Sequence, residues 1–78
     1  MKLSYDSRHN IAYIRLAEDV AEVETVRVGE DLNVDLAPSG KVYGIELLNA
    51  NEQLQSLIAG KLTLENEATG ASVEVALP

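Results

Sequence analysis

The 78-residue sequence predicts an α+β fold: a small antiparallel β-sheet meander, one helix packed on one face, and a C-terminal β-hairpin. Three observations predict it. Apolar and polar residues alternate with period two over most of the chain, the pattern of half-buried strands. The gaps between the first five such runs are too short for the crossover helix that parallel strands need. One stretch alone places apolar residues at helical spacing, with Leu54, Leu57 and Ile58 on a single stripe.

The elements follow in order. Leu3 and Tyr5 alternate with Lys2, Ser4 and Asp6 in a first strand, and the polar run Ser7-Arg8-His9-Asn10 suits a turn. Ala12, Ile14 and Leu16 then share one face of a second strand, while Tyr13 and Arg15 point the other way. A third strand covers Glu22 to Val28, rich in β-branched residues. After Gly29-Glu30-Asp31, a fourth alternates Leu32, Val34 and Leu36 with Asn33 and Asp35. Pro38-Ser39-Gly40 is a turn signal, since proline presets φ and glycine accepts a positive one. Val42 to Leu48 forms the fifth strand, with Tyr43, Ile45 and Leu47 toward the core. Asn49 and Glu52 have capping-box spacing for the helix, and Gly60 is its natural stop. Lys61 to Glu65 and Ser72 to Leu77 alternate again around a turn at Ala68-Thr69-Gly70, giving the hairpin.

Composition excludes several functions. The chain is 46 % hydrophobic and 24 % charged, a globular balance in one domain, because halves this short hold no separate cores. Without cysteine there is no thiolate zinc site, disulfide or thiol nucleophile, and His9 is the sole histidine. No metal and no cofactor is expected. The longest apolar run, Ile11 to Ile14, falls far short of the roughly 18 residues of a membrane span. Nothing near Met1 reads as a signal peptide, so a cytoplasmic, membrane-free protein is the expectation. Thirteen acids against six scattered bases give a net charge of −7. Nucleic-acid binding needs a basic stripe, and none is present. Glu18, Asp19, Glu22 and Glu24 cluster, either as a solvated edge or as a patch for a basic partner.

Motifs for catalysis are scarce. His9 has no assignable serine or aspartate partner, and the serines occupy no nucleophile elbow or phosphate loop. Gly40-Lys41-Val42-Tyr43-Gly44 lacks the third glycine and the helix of such a loop. Tyr13, Asp35 and Glu46 fall together on the outer face, where a polar surface is the simplest reading and a small ligand site the sharper one. Gly44 is the more unusual residue. A glycine inside a strand costs stability and marks a bulge or a close backbone approach.

Three segments together resemble a known family: Met1-Lys2-Leu3-Ser4-Tyr5-Asp6, Ala12-Tyr13-Ile14-Arg15-Leu16, and Gly40 to Ala50 with its Gly44-Ile45-Glu46 core. Their order and spacing are similar to the small bacterial family called domain of unknown function 2283, over about residues 1–58. The resemblance implies a compact sheet with one helix and no established activity. An association of such genes with toxin-like neighbours suggests an antitoxin or partner-binding role. Ser7, Arg8, His9 and Asn10 stand where the family often has proline and acidic residues. Residues 61–78 extend past the family-like part, residues 1–60.

The functional expectation is a non-enzymatic interaction module that self-associates, most simply as a dimer. Two alternatives accompany it: an acidic, antitoxin-like partner of a small basic protein, and a ligand binder or minor enzyme using the outer face. The candidate interaction surface comprises Tyr13, Asp35, Gly44 and Glu46 on the sheet, and Leu62, Leu64, Val73, Val75 and Leu77 on the hairpin. A two-stranded ribbon does not persist alone in water, so this hairpin must dock, on its own sheet or on a second copy.

Overall fold

The computed structural model describes residues 1–18, 22–55 and 60–76. Five antiparallel strands, β1 (Lys2–Asp6), β2 (Ile11–Arg15), β3 (Glu24–Gly29), β4 (Leu32–Leu36) and β5 (Val42–Leu48), form one sheet. A short helix α1 (Ala50–Gln53) follows, and β6 (Lys61–Glu65) pairs with β7 (Ser72–Ala76) in a separate two-stranded sheet. The α+β class, the antiparallel pairing and the C-terminal hairpin all agree with the alternation in the sequence.

The order across the sheet is β1-β2-β5-β4-β3. Hairpins join β3 to β4 and β4 to β5, and β2 returns beside β5, which is a Greek key read from its C-terminal end. The β2–β5 ladder runs from Ile11↔Leu48 to Arg15↔Gly44 and holds the two halves together. Bulges interrupt β3 between Arg27 and Gly29 and the β4–β5 pairing beyond Asp35.

Register sorts the side chains into two faces, since residues paired across strands share a side. Leu3, Ile14, Ile45 and Val34 form one continuous apolar row from β1 to β4. Ala12 and Leu47 extend this face toward the helix, where Ala12 and Ala50 are buried. The opposite face carries Tyr13, Glu46, Asn33 and, one step along, Gly44, Asp35 and Thr25.

Sequence spacing assigns the helix cap to Asn49, and here the structure differs. Asn49 lies in the left-handed region (φ 52°), makes no side-chain bond to the helix backbone, and donates Nδ2 to Glu52 Oε2 at 2.9 Å. The cap comes from the β1–β2 turn. Asn10, also left-handed (φ 56°), accepts the Asn51 N–H on Oδ1 at 2.8 Å and the Ala50 N–H on its carbonyl at 3.0 Å. Its Nδ2 donates to Asn51 Oδ1 at 2.7 Å. Asparagine suits the position because its short polar side chain tolerates positive φ and supplies an acceptor at once. The described helix ends at Gln53, and Leu54 takes a non-helical φ of −121°. Leu57 and Ile58, two of the three residues of the expected stripe, lie outside the described residues, as does Leu77 of the hairpin.

In the same turn the Asp6 carboxylate accepts from His9 Nδ1 (2.9 Å), the Arg8 backbone N–H (2.9 Å) and Arg8 Nε (3.2 Å). The His9 bond, then those from Arg8, holds the Asp6 carboxyl down to about 2. This contribution is complete above the ordinary 3.8 and is lost only as pH falls through about 2. His9 is thus an exposed partner of Asp6.

Asn10→Ala removes the acceptor for Asn51 and strains a left-handed backbone, and is expected to lower unfolding free energy by about 1–2 kcal/mol in urea titrations. Asn49→Gly keeps the left-handed conformation and loses the exposed bond to Glu52 and a long 3.4 Å bond from Asn10 Nδ2, but no bond to the helix backbone, so its midpoint should move less. Equal losses would refute the assignment of the cap to Asn10.

Candidate functional site

The residues singled out on the outer face meet around one missing side chain. Gly44 sits in the middle of β5 and is buried, although its neighbours on that face are polar. The cover is Tyr13. A Cβ built on Gly44 would run into the Tyr13 hydroxyl, Cζ and Cε1, so the ring occupies the space above the β5 backbone that glycine leaves open. The room beside Gly44 is therefore filled from within the chain.

From there the phenol spans β5 and reaches β4. Tyr13 Oη donates to Asp35 Oδ2 at 2.6 Å, and Thr25 Oγ1 on β3 donates to Asp35 Oδ1, also at 2.6 Å. Both carboxylate oxygens thus hold a short, charge-assisted bond. Beside them Asn33 Nδ2 donates to Glu46 Oε1 at 2.9 Å, one register step away on the β4–β5 ladder. The row Tyr13–Asp35–Thr25 ties together side chains of β2, β4 and β3 across the top of β5.

Electrostatics follow from this geometry. Partial burial of the ring against β5 disfavours a phenolate, and the Asp35 carboxylate both accepts the phenol's hydrogen bond and repels a second negative charge. Tyr13 is accordingly pushed well above the ordinary phenol value of 10.0, first by desolvation, then by its bond to Asp35 and by the charges of Asp35 and Glu46. At neutral pH the pair is a neutral donor on an ionised acceptor. Its chemistry is that of a clamp, with the phenol proton held rather than offered.

Sequence reasoning brought Tyr13, Asp35, Gly44 and Glu46 to one face, and the structure joins the first three directly. Thr25 and Asn33 were missed. Their signal was parity: each lies directly opposite a carboxylate residue in the ladder, but only once the strand order is known. The hairpin residues Leu62, Leu64, Val73 and Val75 belong to the other sheet and share one side of it, through Leu62↔Val75 and Leu64↔Val73. Open hollows of about 340, 640 and 370 Å³ lie elsewhere, at Glu22, Glu24 and Pro38, between α1 and Leu62, and on the hairpin beside Leu64 and Val73. Among the described residues no group of three or more His, Cys, Asp or Glu side chains is placed to hold a metal ion. None of their helices is long and apolar enough to cross a membrane.

Residues 2–51 match the family model described as "Protein of unknown function (DUF2283)". The chain belongs to the DUF2283 family. The match spans β1 to the first turn of α1, ending short of the 58 residues over which resemblance was read, and leaves β6 and β7 outside it. The five-stranded sheet with its Tyr13 clamp is therefore the DUF2283 part of the molecule. No curated protein and no solved structure matches the chain.

Gly44→Ala must displace the Tyr13 ring and break its bond to Asp35, and is expected to cost about 1–3 kcal/mol. In a Tyr13→Ala background the same substitution should cost much less, because the obstructing ring is gone. Additive losses would mean that the two residues do not compete for one space.

Tyr13 also sets an alkaline limit. Its folded-state value lies above the unfolded one, so its stabilisation is intact below the ordinary phenol value and declines as pH rises beyond it. Ultraviolet titration of the folded chain should show a late-ionising phenol that Tyr13→Phe abolishes. A late step that survives in Tyr13→Phe would contradict the clamp.

Proposed function

We propose that this chain is a self-associating interaction module, with apolar surface left open on the single chain and covered by a second copy. The observation that carries the reading is area. The chain exposes 5872 Å², whereas a folded monomer of 8.4 kDa exposes about 4,600 Å². The excess, about 1,300 Å², exceeds the roughly 800 Å² that each partner buries in a standard stable interface. Among the described residues only Ala12 and Ala50 are buried hydrophobics, and no large side chain is fully enclosed. The radius of gyration, 14.0 Å, is likewise larger than the ~11.5 Å of a compact domain of this length.

Such a chain gains stability by sharing burial, which is how small domains without disulfides or metals reach a working margin. The Tyr13–Asp35 clamp supports the same role by stiffening the sheet whose opposite face carries the open apolar surface. Self-association through a mixed sheet and hairpin surface is thus the function that the geometry favours over ligand turnover.

Sedimentation equilibrium of the full chain at tens of micromolar should give the mass of a dimer, and the melting temperature should rise with protein concentration. A monomer at every concentration, melting at one temperature, would overturn the proposal.

A further inference from the structure

We infer that the β6–β7 hairpin is a reciprocal arm, which lays its apolar side over β3 of a second copy while the partner's arm does the same in return. This assignment rests on the self-association proposed above and names the surfaces that carry it.

Three large apolar side chains stand out as at least half exposed, apart from the terminal Met1: Val73 at 61 %, Val28 at 60 % and Leu64 at 52 %. They form two patches. Leu64 and Val73 face each other across the hairpin, with the half-buried Leu62 and Val75 beside them, so one side of the arm is wholly apolar. The other side carries Lys61, Thr63, Glu65 and Glu74 and is suited to water. Val28 lies on β3 with Val26, itself 39 % exposed. That strand is an outer edge of its sheet, and every one of its residues is exposed.

The occupant is a second copy because the chain as a whole exposes about 1,300 Å² more than a compact monomer of its mass, enough for one standard interface. A two-stranded ribbon alone is at best marginal in water, and among the described residues β6 and β7 pair only with each other. Closing one patch on its own counterpart would cover only a few side chains per chain. An exchange of arms covers both the hairpin side and the β3 edge on each chain, where a self-contact covers only one of them. It is also closed under a two-fold axis, since arm meets β3 and β3 meets arm, and growth stops at two. Charge agrees with an apolar contact. At −7 per chain two copies repel at long range, and a seat of Leu62, Leu64, Val73, Val75, Val26 and Val28 adds no like charge to that repulsion.

The test uses two full-length variants, Leu64→Asp with Val73→Asp on the arm, and Val28→Asp on β3. All three sites are exposed, so circular dichroism should show both variants folded, and Leu64→Ser with Val73→Ser serves as a milder arm variant. Each aspartate variant is expected to dimerise about ten- to a hundredfold more weakly than the parent chain by sedimentation. Mixed together, they should form a heterodimer of intermediate affinity, because the intact arm of one meets the intact β3 of the other. A parent dimer that both arm variants leave unchanged would overturn the arm while self-association stands. Weakened variants that fail to complement on mixing would also overturn it, since a reciprocal exchange requires one good contact in the mixture. A monomeric parent chain would overturn the self-association reading itself.

Discussion

The sheet depends on one omission, the side chain that Gly44 lacks. Because nothing rises from the centre of β5, the Tyr13 ring can lie across it and place its hydroxyl 2.6 Å from Asp35 on the next strand. Any larger residue would lift the ring, free Asp35 and leave the polar face without its crosslink. Glycine in a mid-strand position sacrifices local propensity, and the gain is a side-chain brace between β2 and β4, which share no backbone ladder. Thr25 lengthens that brace to the edge strand β3. The polar face is therefore held by side chains as well as by backbone hydrogen bonds.

The two faces divide the labour. On one, short bonds to a single carboxylate fix strand positions in a partly wet environment, where such bonds gain strength from the full charge on Asp35. On the other, aliphatic residues supply burial that the chain alone does not complete. A stiff frame with an apolar side suits the self-association proposed above, since little conformational freedom is left to be lost on binding. The helix is a minor partner in this frame. It is one turn long, and its cap is lent by Asn10 from a turn far away in sequence.

Much of this was legible from residue order alone, for a definite reason. Period-two alternation marks strands locally, so β1, β4, β5 and β6 appear where the pattern puts them, and Gly40 sits at positive φ in the turn that Pro38 announces. The third strand begins at Glu24 rather than Glu22, a small difference at an element end, where boundaries are least defined. What alternation does not encode is which strand lies beside which. The β2–β5 pairing joins distant residues, and with it come the partners of Asp35 and Glu46, so Thr25 and Asn33 were invisible in the string. The capping box failed for a related reason. Asn49 and Glu52 do meet, but the competing acceptor on Asn10 arrives only through tertiary structure.

The Greek-key order also has a temporal meaning. The β3–β4–β5 meander and the β1–β2 hairpin each close over short turns, which is fast and entropically cheap. Joining them through β2 and β5 closes the longest loop in the sheet, and contacts of that separation are what slow the folding of β-rich domains. Tyr13 and Gly44 lie on the two strands that this step brings together. The ring settles into its slot only when the halves of the sheet dock, so the clamp acts as a latch on the final assembly rather than as a seed for it.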